Sequence, residues 1–303
     1  MRFVRTAALG AAMLVAFAAC SSGGGGSAKP DIRIGSDGFY ESKLVAEMYA
    51  QVLEAEGYKV TRNLGIGARQ VRQPALEQGQ IDLSPEYVGS GLGYYDPAAP
   101  TGDGPTNREA LAKVLKEKGI SVFAISPGED TNAAVVRKDT ADQYSLTKMS
   151  DLAAVQNDLK WGLPPDCDAN PLCKGALEAY GITYPPAQRE ALAACDAPIA
   201  TALQGNAIDF AWLCSTQPAI AQNGFVVLED DLDTQPAENI APLVRNDYLA
   251  KVDATAFAAI LDAVSAKMTT EELTKLGVKV GVDNEDVADV AKQWLTDQGL
   301  LSS

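Results

Sequence analysis

Side chains able to bind recur where strands should give way to loops: Phe39 and Tyr40, Tyr87 and Ser90, Asn132, Trp212, then Ser215 and Thr216. Rings, amides and hydroxyls in such places suit the lining of a cleft, where aromatic faces surround a small ligand and a few polar groups orient it. Reaction chemistry is harder to find. The chain has no histidine, so a Ser-His-Asp or Cys-His arrangement is excluded. Adjacent acids such as Glu229-Asp230-Asp231 and Glu271-Glu272 read as solvated ends in an acidic chain rather than as acid/base pairs. Gly65-Ile66-Gly67 lacks the third glycine of a dinucleotide fingerprint, and no Gly-Lys-Ser/Thr phosphate loop occurs. No cofactor is expected.

The elements that must position these groups follow from periodicity. Ile32 and Ile34 start a strand, and the loop Gly35 to Glu41 leads into a helix with Leu44, Val45, Met48, Tyr49, Val52 and Leu53 at helical spacing. Gly57 ends that helix. A second strand is expected over Tyr58 to Arg62, and Gly65 to Gln70 should open a helix whose inward face carries Val71, Ala75 and Leu76. The third strand holds Ile81 and Leu83; Pro85, which has no N–H to donate, should end its ladder and leave Tyr87 on a loop. This β-α-β-α-β series predicts parallel strands with right-handed crossovers.

Thr106-Asn107-Arg108-Glu109 reads as a capping box and Ile120 to Ile125 as a strand. A fresh strand over Asp130 to Arg137 marks a crossing into a second lobe. Ile208 to Leu213 is the clearest strand of that lobe, and Cys214 to Gln217 follows it as a polar loop. Val226 to Leu228 and Ile240 to Val244 are further strands. Thr269 to Glu272 caps a helix, and Val287, Val290, Ala291, Trp294 and Leu295 share one face of the last helix. The expected division is residues 31–129 plus 234–303 for lobe 1 and 130–233 for lobe 2.

Residues 1–19 form a basic start, an apolar run too short to span a bilayer, and Ala18-Ala19 before Cys20. This reads as a lipoprotein signal peptide, with Cys20 as the lipid anchor and the Ser/Gly-rich residues 20–30 as a flexible tether. Removing it takes away Arg2 and Arg5, so the formal charge of −15 becomes −17. So acidic a chain is not expected to bind nucleic acid. The remaining four cysteines suit two disulfides in an exported protein. Of the three pairings we favour Cys167–Cys173, which bracket a tight Pro/Asp/Asn loop, with Cys195–Cys214. Without histidine, and with these spacings, no metal site is expected.

Several motifs resemble those of the substrate-binding proteins of osmoprotectant (glycine betaine, choline, carnitine) ABC transporters, the quaternary-amine binding family. Ile34-Gly35-Ser36-Asp37-Gly38-Phe39-Tyr40-Glu41 is similar to that family's I-G-S-K-N-F-T-E. Ala75 to Asp82 is similar to A-L-x-x-G-x-I-D, and Pro85 to Ser90 to P-E-Y-T-G-T. Ser215-Thr216-Gln217 stands in place of S-T-D, and Val227 to Asp231 matches V-L-E-D-D.

The resemblance implies an α/β, two-lobed periplasmic-binding-protein fold of type II, hinged, with the ligand cleft between the lobes. It implies an extracytoplasmic receptor, anchored to the cell membrane, that acts as a monomer and passes its ligand to ABC permease subunits without chemistry. An enzyme on the same fold and a sensory receptor are the competing readings. The resemblance also implies an aromatic cage for a trimethylammonium group, which attracts soft cations that cannot donate hydrogen bonds. Tyr87 matches one cage position and Ser90 the hydroxyl beside it. Asn132, Cys214 and Glu238 stand where the family has tyrosine, and Asp37 replaces a lysine. Phe39, Tyr40 and Trp212 are the candidate replacement rings. With Asp37 and Glu238 in these places, the site is expected to favour positive charge over a zwitterion's carboxylate.

Overall fold

The computed structural model describes residues 29–99 and 102–302. The signal peptide, Cys20 and most of the tether lie outside them. Among the described residues no helix is long and apolar enough to cross a membrane.

Two five-stranded sheets organise the chain, and each is built the same way. The first contains β1 (Ile32–Asp37), β2 (Val60–Gly67), β3 (Leu83–Tyr87), β4 (Ile120–Val122) and, from much later in the chain, β10 (Ile240–Arg245). Its order is β2-β1-β3-β10-β4. The second contains β5 (Asn132–Val136), β6 (Trp161–Leu163), β7 (Arg189–Ala191), β8 (Phe210–Cys214) and β9 (Val226–Val227), ordered β7-β6-β8-β5-β9. In each, two parallel pairs sit on one side and a single antiparallel strand is inserted on the other: β10 in the first sheet, β5 in the second. Those two strands are the ones the chain enters directly after passing between sheets. The two passages meet, since Glu129 bridges Asn239 and the Asp130 amide donates to the Glu238 carbonyl at 3.1 Å.

Each sheet is covered by apolar side chains on both faces. Ile32, Ile34 and Leu83 pack against α1 (Tyr40–Ala55), whose Leu44, Val45, Met48, Tyr49, Val52 and Leu53 are all buried as their spacing predicts. On the opposite face Ile81, Leu243 and Val122 meet the helices α2 (Arg69–Glu77), α3 (Val88–Tyr95) and α4 (Gly104–Lys116). In the second sheet Trp161, Phe210 and Trp212 lie on one face, and Val135, Ala211 and Leu213 on the other. Cys167–Cys173 and Cys195–Cys214 are both bonded, the pairing expected from the sequence.

Four local expectations change. Pro85 does not end β3. It faces Pro242 across an antiparallel pair, and the amides flanking that rung, Val88 to the Asn239 carbonyl and Arg245 to the Asp82 carbonyl, place the prolines at a non-hydrogen-bonded position. No donor is needed there, so two prolines cost the ladder nothing. β2 runs on to Gly67 instead of stopping at Arg62, because Gly65 (φ +69°) and Gly67 (φ +146°) adopt backbone angles open to glycine and carry the strand through an irregular register. α4 starts at Gly104, capped by Asp103 accepting from the Thr106 amide at 2.9 Å, rather than at a Thr106 box. The fourth change concerns α2: Val71 is exposed, whereas Arg72 and Gln73 are buried. The helix turns its polar side inward because buried carboxylates wait there.

Candidate functional site

Those carboxylates belong to Asp37 at the end of β1 and Glu86 on β3. Arg72, with no exposed surface, donates from Nε to Asp37 at 2.8 Å and from Nη2 to Glu86 at 2.7 Å. Arg69 reaches Glu86 at 2.9 Å, and the Gln73 amide adds a bond at 2.8 Å. Burial alone would raise the Glu86 carboxyl, but Arg69 and Arg72 outweigh it and hold Glu86 at about 2. This cluster is tied to the backbone of the candidate ring, since the Tyr87 amide donates to Glu86 Oε1 at 2.9 Å. Asp37, a candidate ligand contact, has its Oδ1 bound to Arg72.

Tyr87 closes β3 and precedes α3, so its ring stands at a strand end rather than on a free loop. It is buried, with Phe39 at 5.7 Å between centroids. Its hydroxyl donates to Glu41 Oε1, in the first turn of α1, at 2.7 Å. The other oxygen of Glu41 meets the second sheet's loop: Thr216 Oγ1 lies 3.0 Å from Glu41 Oε2 and 2.8 Å from Asp130 Oδ1. The Thr216 amide also donates to Asp130 Oδ1 at 3.0 Å. Both carboxyls are buried, and among the described residues neither has a lysine or arginine within ion-pair distance. Burial and then the neighbouring Asp130 push Glu41 well above the carboxylate range. Burial also raises Asp130, against hydrogen bonds from Thr216.

Ser90 and Glu238 do come together, but as a helix cap. The Gly89 and Ser90 amides donate to Glu238 at 3.1 and 2.8 Å, and the Ser90 hydroxyl also bonds it. A carboxylate at the start of α3 satisfies amides that the helix itself leaves free. Burial nevertheless pushes Glu238 up to about 7, with Ser90 and Arg69 opposing. The fit against the second passage is tight: a Cβ at Gly89 would stand 2.6 Å from Pro236 and 2.7 Å from the Ala237 carbonyl.

The remaining candidates border a cavity of about 450 Å³ beside the passages, lined by Asn132, Trp212 and Ser215 among others. Asn132 donates to Gln235 at 2.9 Å, and Ser215 accepts from the Thr131 amide at 3.1 Å. Trp212 is packed edge-on against Phe210 at 5.5 Å, and its indole N–H has no partner among the described residues. β-strand alternation puts Cys214, paired across from Asn132, on the same side as Trp212, where it is tied to Cys195. The Tyr40 hydroxyl is buried against Gly277 and close to Thr216, without a hydrogen-bond partner among the described residues.

The candidates therefore fall into two adjoining groups joined by Ser215-Thr216: a closed contact between the sheets at Tyr87, Glu41, Thr216 and Asp130, and an open cavity at Asn132 and Trp212. Sequence reasoning missed Glu41, Asp130, Arg69, Arg72 and Glu86. Glu41 and Glu86 stood in motifs singled out for their rings and hydroxyls, Arg69 and Asp130 only marked where a helix and a strand begin, and Arg72 had no role assigned.

Two α/β lobes of one topology, joined by paired passages and meeting at buried aromatic and polar side chains, define a two-lobed binding protein. The family described as the substrate-binding domain of ABC-type glycine betaine transport systems matches residues 30–297, and the chain belongs to it. That is a family of transport receptors, not of enzymes. The chain is 26% identical to the glycine-betaine-binding protein of Pseudomonas aeruginosa over 281 residues, covering 89% of this chain and 88% of that protein. It is 28% identical to the carnitine transport binding protein OpuCC of Listeria monocytogenes over 290 residues, 91% and 90% of the two chains. Among solved structures, a glycine betaine/carnitine/choline ABC transporter protein superposes with TM-score 0.69 at 23% identity, over 89% of this chain and 98% of that one. A choline-binding protein in complex with choline does so at 0.64 and 17% identity, over 90% of each chain.

Proposed function

We propose that the chain captures a small quaternary amine, or a related cationic amine, between its lobes and delivers it to a membrane permease without chemical change. One observation carries this reading most directly: the buried Tyr87 ring, beside Phe39, stands where the two lobes meet and next to carboxyls that no cation among the described residues neutralises. Aromatic faces attract quaternary ammonium groups, by about 2 kcal/mol or more when desolvated. An ionised Asp130 at the same place opposes a ligand carboxylate. Choline is therefore favoured over glycine betaine, and the cavity bordered by Asn132, Trp212 and Ser215 gives the ligand's remaining atoms a place.

In this reading lobe 1 comprises residues 31–129 and 234–303, lobe 2 comprises 130–233, and the passages at Glu129–Asp130 and Glu238–Asn239 are the hinge. The protein acts as a monomer outside the cytoplasmic membrane, held there by a diacylated Cys20. Replacing Cys20 by alanine should release it from membranes; retention would place the anchor elsewhere. The binding test is a thermal-shift panel of choline, carnitine, glycine betaine and polyamines on the delipidated protein, with Tyr87→Ala beside wild type. A ligand at one hundred times its Kd stabilises by about 2.7 kcal/mol. Tyr87→Ala should lose that shift, and a glycine betaine shift surviving the substitution would overturn the cage.

A further inference from the structure

The hydroxyl of Thr216 has one proton and two carboxyl oxygens to serve. It lies 3.0 Å from Glu41 Oε2 and 2.8 Å from Asp130 Oδ1, both hydrogen-bonding distances. If the proton points to Asp130, nothing is left for Glu41; if it points to Glu41, the Asp130 contact becomes two lone pairs facing one another. The remaining partners settle which carboxyl needs help. Asp130 Oδ1 already accepts from the Thr216 amide at 3.0 Å, with the Ser215 hydroxyl at 3.5 Å, an environment suited to an anion. Glu41 Oε1 accepts from the Tyr87 hydroxyl, while its Oε2 meets Thr216 and the Glu41 and Asp130 carboxyls also come within hydrogen-bonding reach of each other, a contact that needs a proton. One proton on Glu41 Oε2 satisfies every group: Glu41 donates to Thr216 Oγ1, Thr216 donates to Asp130 Oδ1, and Tyr87 donates to Glu41 Oε1.

We propose that Glu41 is a proton-loaded latch: closing the lobes takes one proton from solvent onto Glu41, and that proton completes the bond to Thr216 while fixing the Tyr87 ring. Glu41 is thereby a positioning residue acting through Tyr87. The geometry spans both lobes, since Glu41 and Tyr87 belong to the first sheet's side and Thr216 to the loop after β8. Opening would separate Thr216 from Glu41 and return the carboxyl toward water, where it ionises with an ordinary value of about 4.3.

The other ionisable groups do not supply an alternative counter-charge. Tyr87 faces Glu41 from β3, Asp130 from the first passage, and Tyr40 is its neighbour on α1; each is neutral or negative. On β1, Asp37 is engaged by Arg72. Glu238, which also titrates near neutrality, bonds Gly89 and Ser90 at the start of α3 rather than the latch. The sign follows from which state binds the proton. Closure is favoured at low pH and weakens as pH rises above the ordinary glutamate value, by about tenfold in the closing equilibrium per pH unit until the closed-state value is passed.

The inference rests on lobe closure and not on the ligand's identity, so it is tested on ligand-free protein by small-angle scattering between pH 5 and pH 8. Wild type should be most compact at pH 5 and expand toward pH 8. Glu41→Gln, whose amide donates to Thr216 as the protonated acid does, should stay compact throughout while Glu238 still titrates. Thr216→Val should be expanded at every pH. Circular dichroism checks that both variants fold; if Glu41→Gln does not, Thr216→Val alone carries the test. A wild-type radius independent of pH, or a Glu41→Gln or Thr216→Val profile that follows wild type, would overturn the proposal. Failure of choline to bind would leave this result standing and count only against the ligand assignment.

Discussion

Tyr87 hydrogen-bonds one member of each of two pairs of buried acids, and the pairs are treated in opposite ways. Asp37 and Glu86, reached through its amide, are paired with Arg69 and Arg72 inside one lobe. Glu41 and Asp130, reached through its hydroxyl, share a threonine hydroxyl and approach each other, and among the described residues no cation pairs with them. Neutralised charge makes a fixed floor: Arg69 and Arg72 keep Glu86 ionised over a wide pH range, and their contacts do not depend on how the lobes stand. Charge left unneutralised makes a place that responds to a proton or to a cationic ligand.

The sharpest way to break this contrast is Arg72→Met. It leaves Asp37 buried without its partner and Glu86 with Arg69 alone, and removing one member of a buried ion pair costs about 3–5 kcal/mol. Urea unfolding should show a loss of that size; a loss near zero would mean that the floor is not built on charge. The corresponding change in the other pair, Glu41→Gln at pH 5, should leave urea stability nearly unchanged because it mimics the protonated acid.

Tyr87→Phe tests the junction between the pairs. The ring stays, Glu41 loses its donor, and an unsatisfied buried acceptor costs about 1–3 kcal/mol. Choline affinity should fall less than in Tyr87→Ala, because the aromatic face survives. Equal losses would assign the effect to the hydroxyl rather than to the cage.

Titration separates the floor from the helix cap with the smallest effects, at most about 1.4 kcal/mol per pH unit for each group. Glu86 is held at about 2, below its ordinary value, so its contribution is present above that value and is lost as pH falls toward 2. Glu238 is raised to about 7, so its contribution is present at pH 4 and is lost as pH rises through 7. Urea midpoints of Glu238→Gln against wild type should converge on the acid side and flatten between pH 4.5 and 7. An unchanged slope there would remove Glu238 as its source.

Much of the lobe architecture was legible because apolar spacing speaks for itself: the α1 stripe from Leu44 to Leu53, the parallel β1, β2 and β3, and the last helix's buried Val290, Trp294 and Leu295. The disulfides were legible because close cysteines in a short loop have few partners. What stayed hidden was the direction of polar side chains. Arg72 shares a helical face with Ala75 and Leu76, but a charge is expected to turn inward only where a partner on another strand receives it. Asp37 and Glu238 looked like ligand contacts for the same reason: one serves Arg72 and the other caps α3. Pro85 misled because a proline stops a ladder only where a donor is required, and Pro242 opposite shows that none is.

The central claim is that the lobes close on a cationic amine against Tyr87. Calorimetric titration of choline into delipidated wild type and Tyr87→Ala tests it directly. The account predicts saturable one-to-one binding in wild type that weakens about thirtyfold in the variant, the equivalent of about 2 kcal/mol of cation–π attraction. No heat with choline in wild type, or equal affinity in the two proteins, would contradict it.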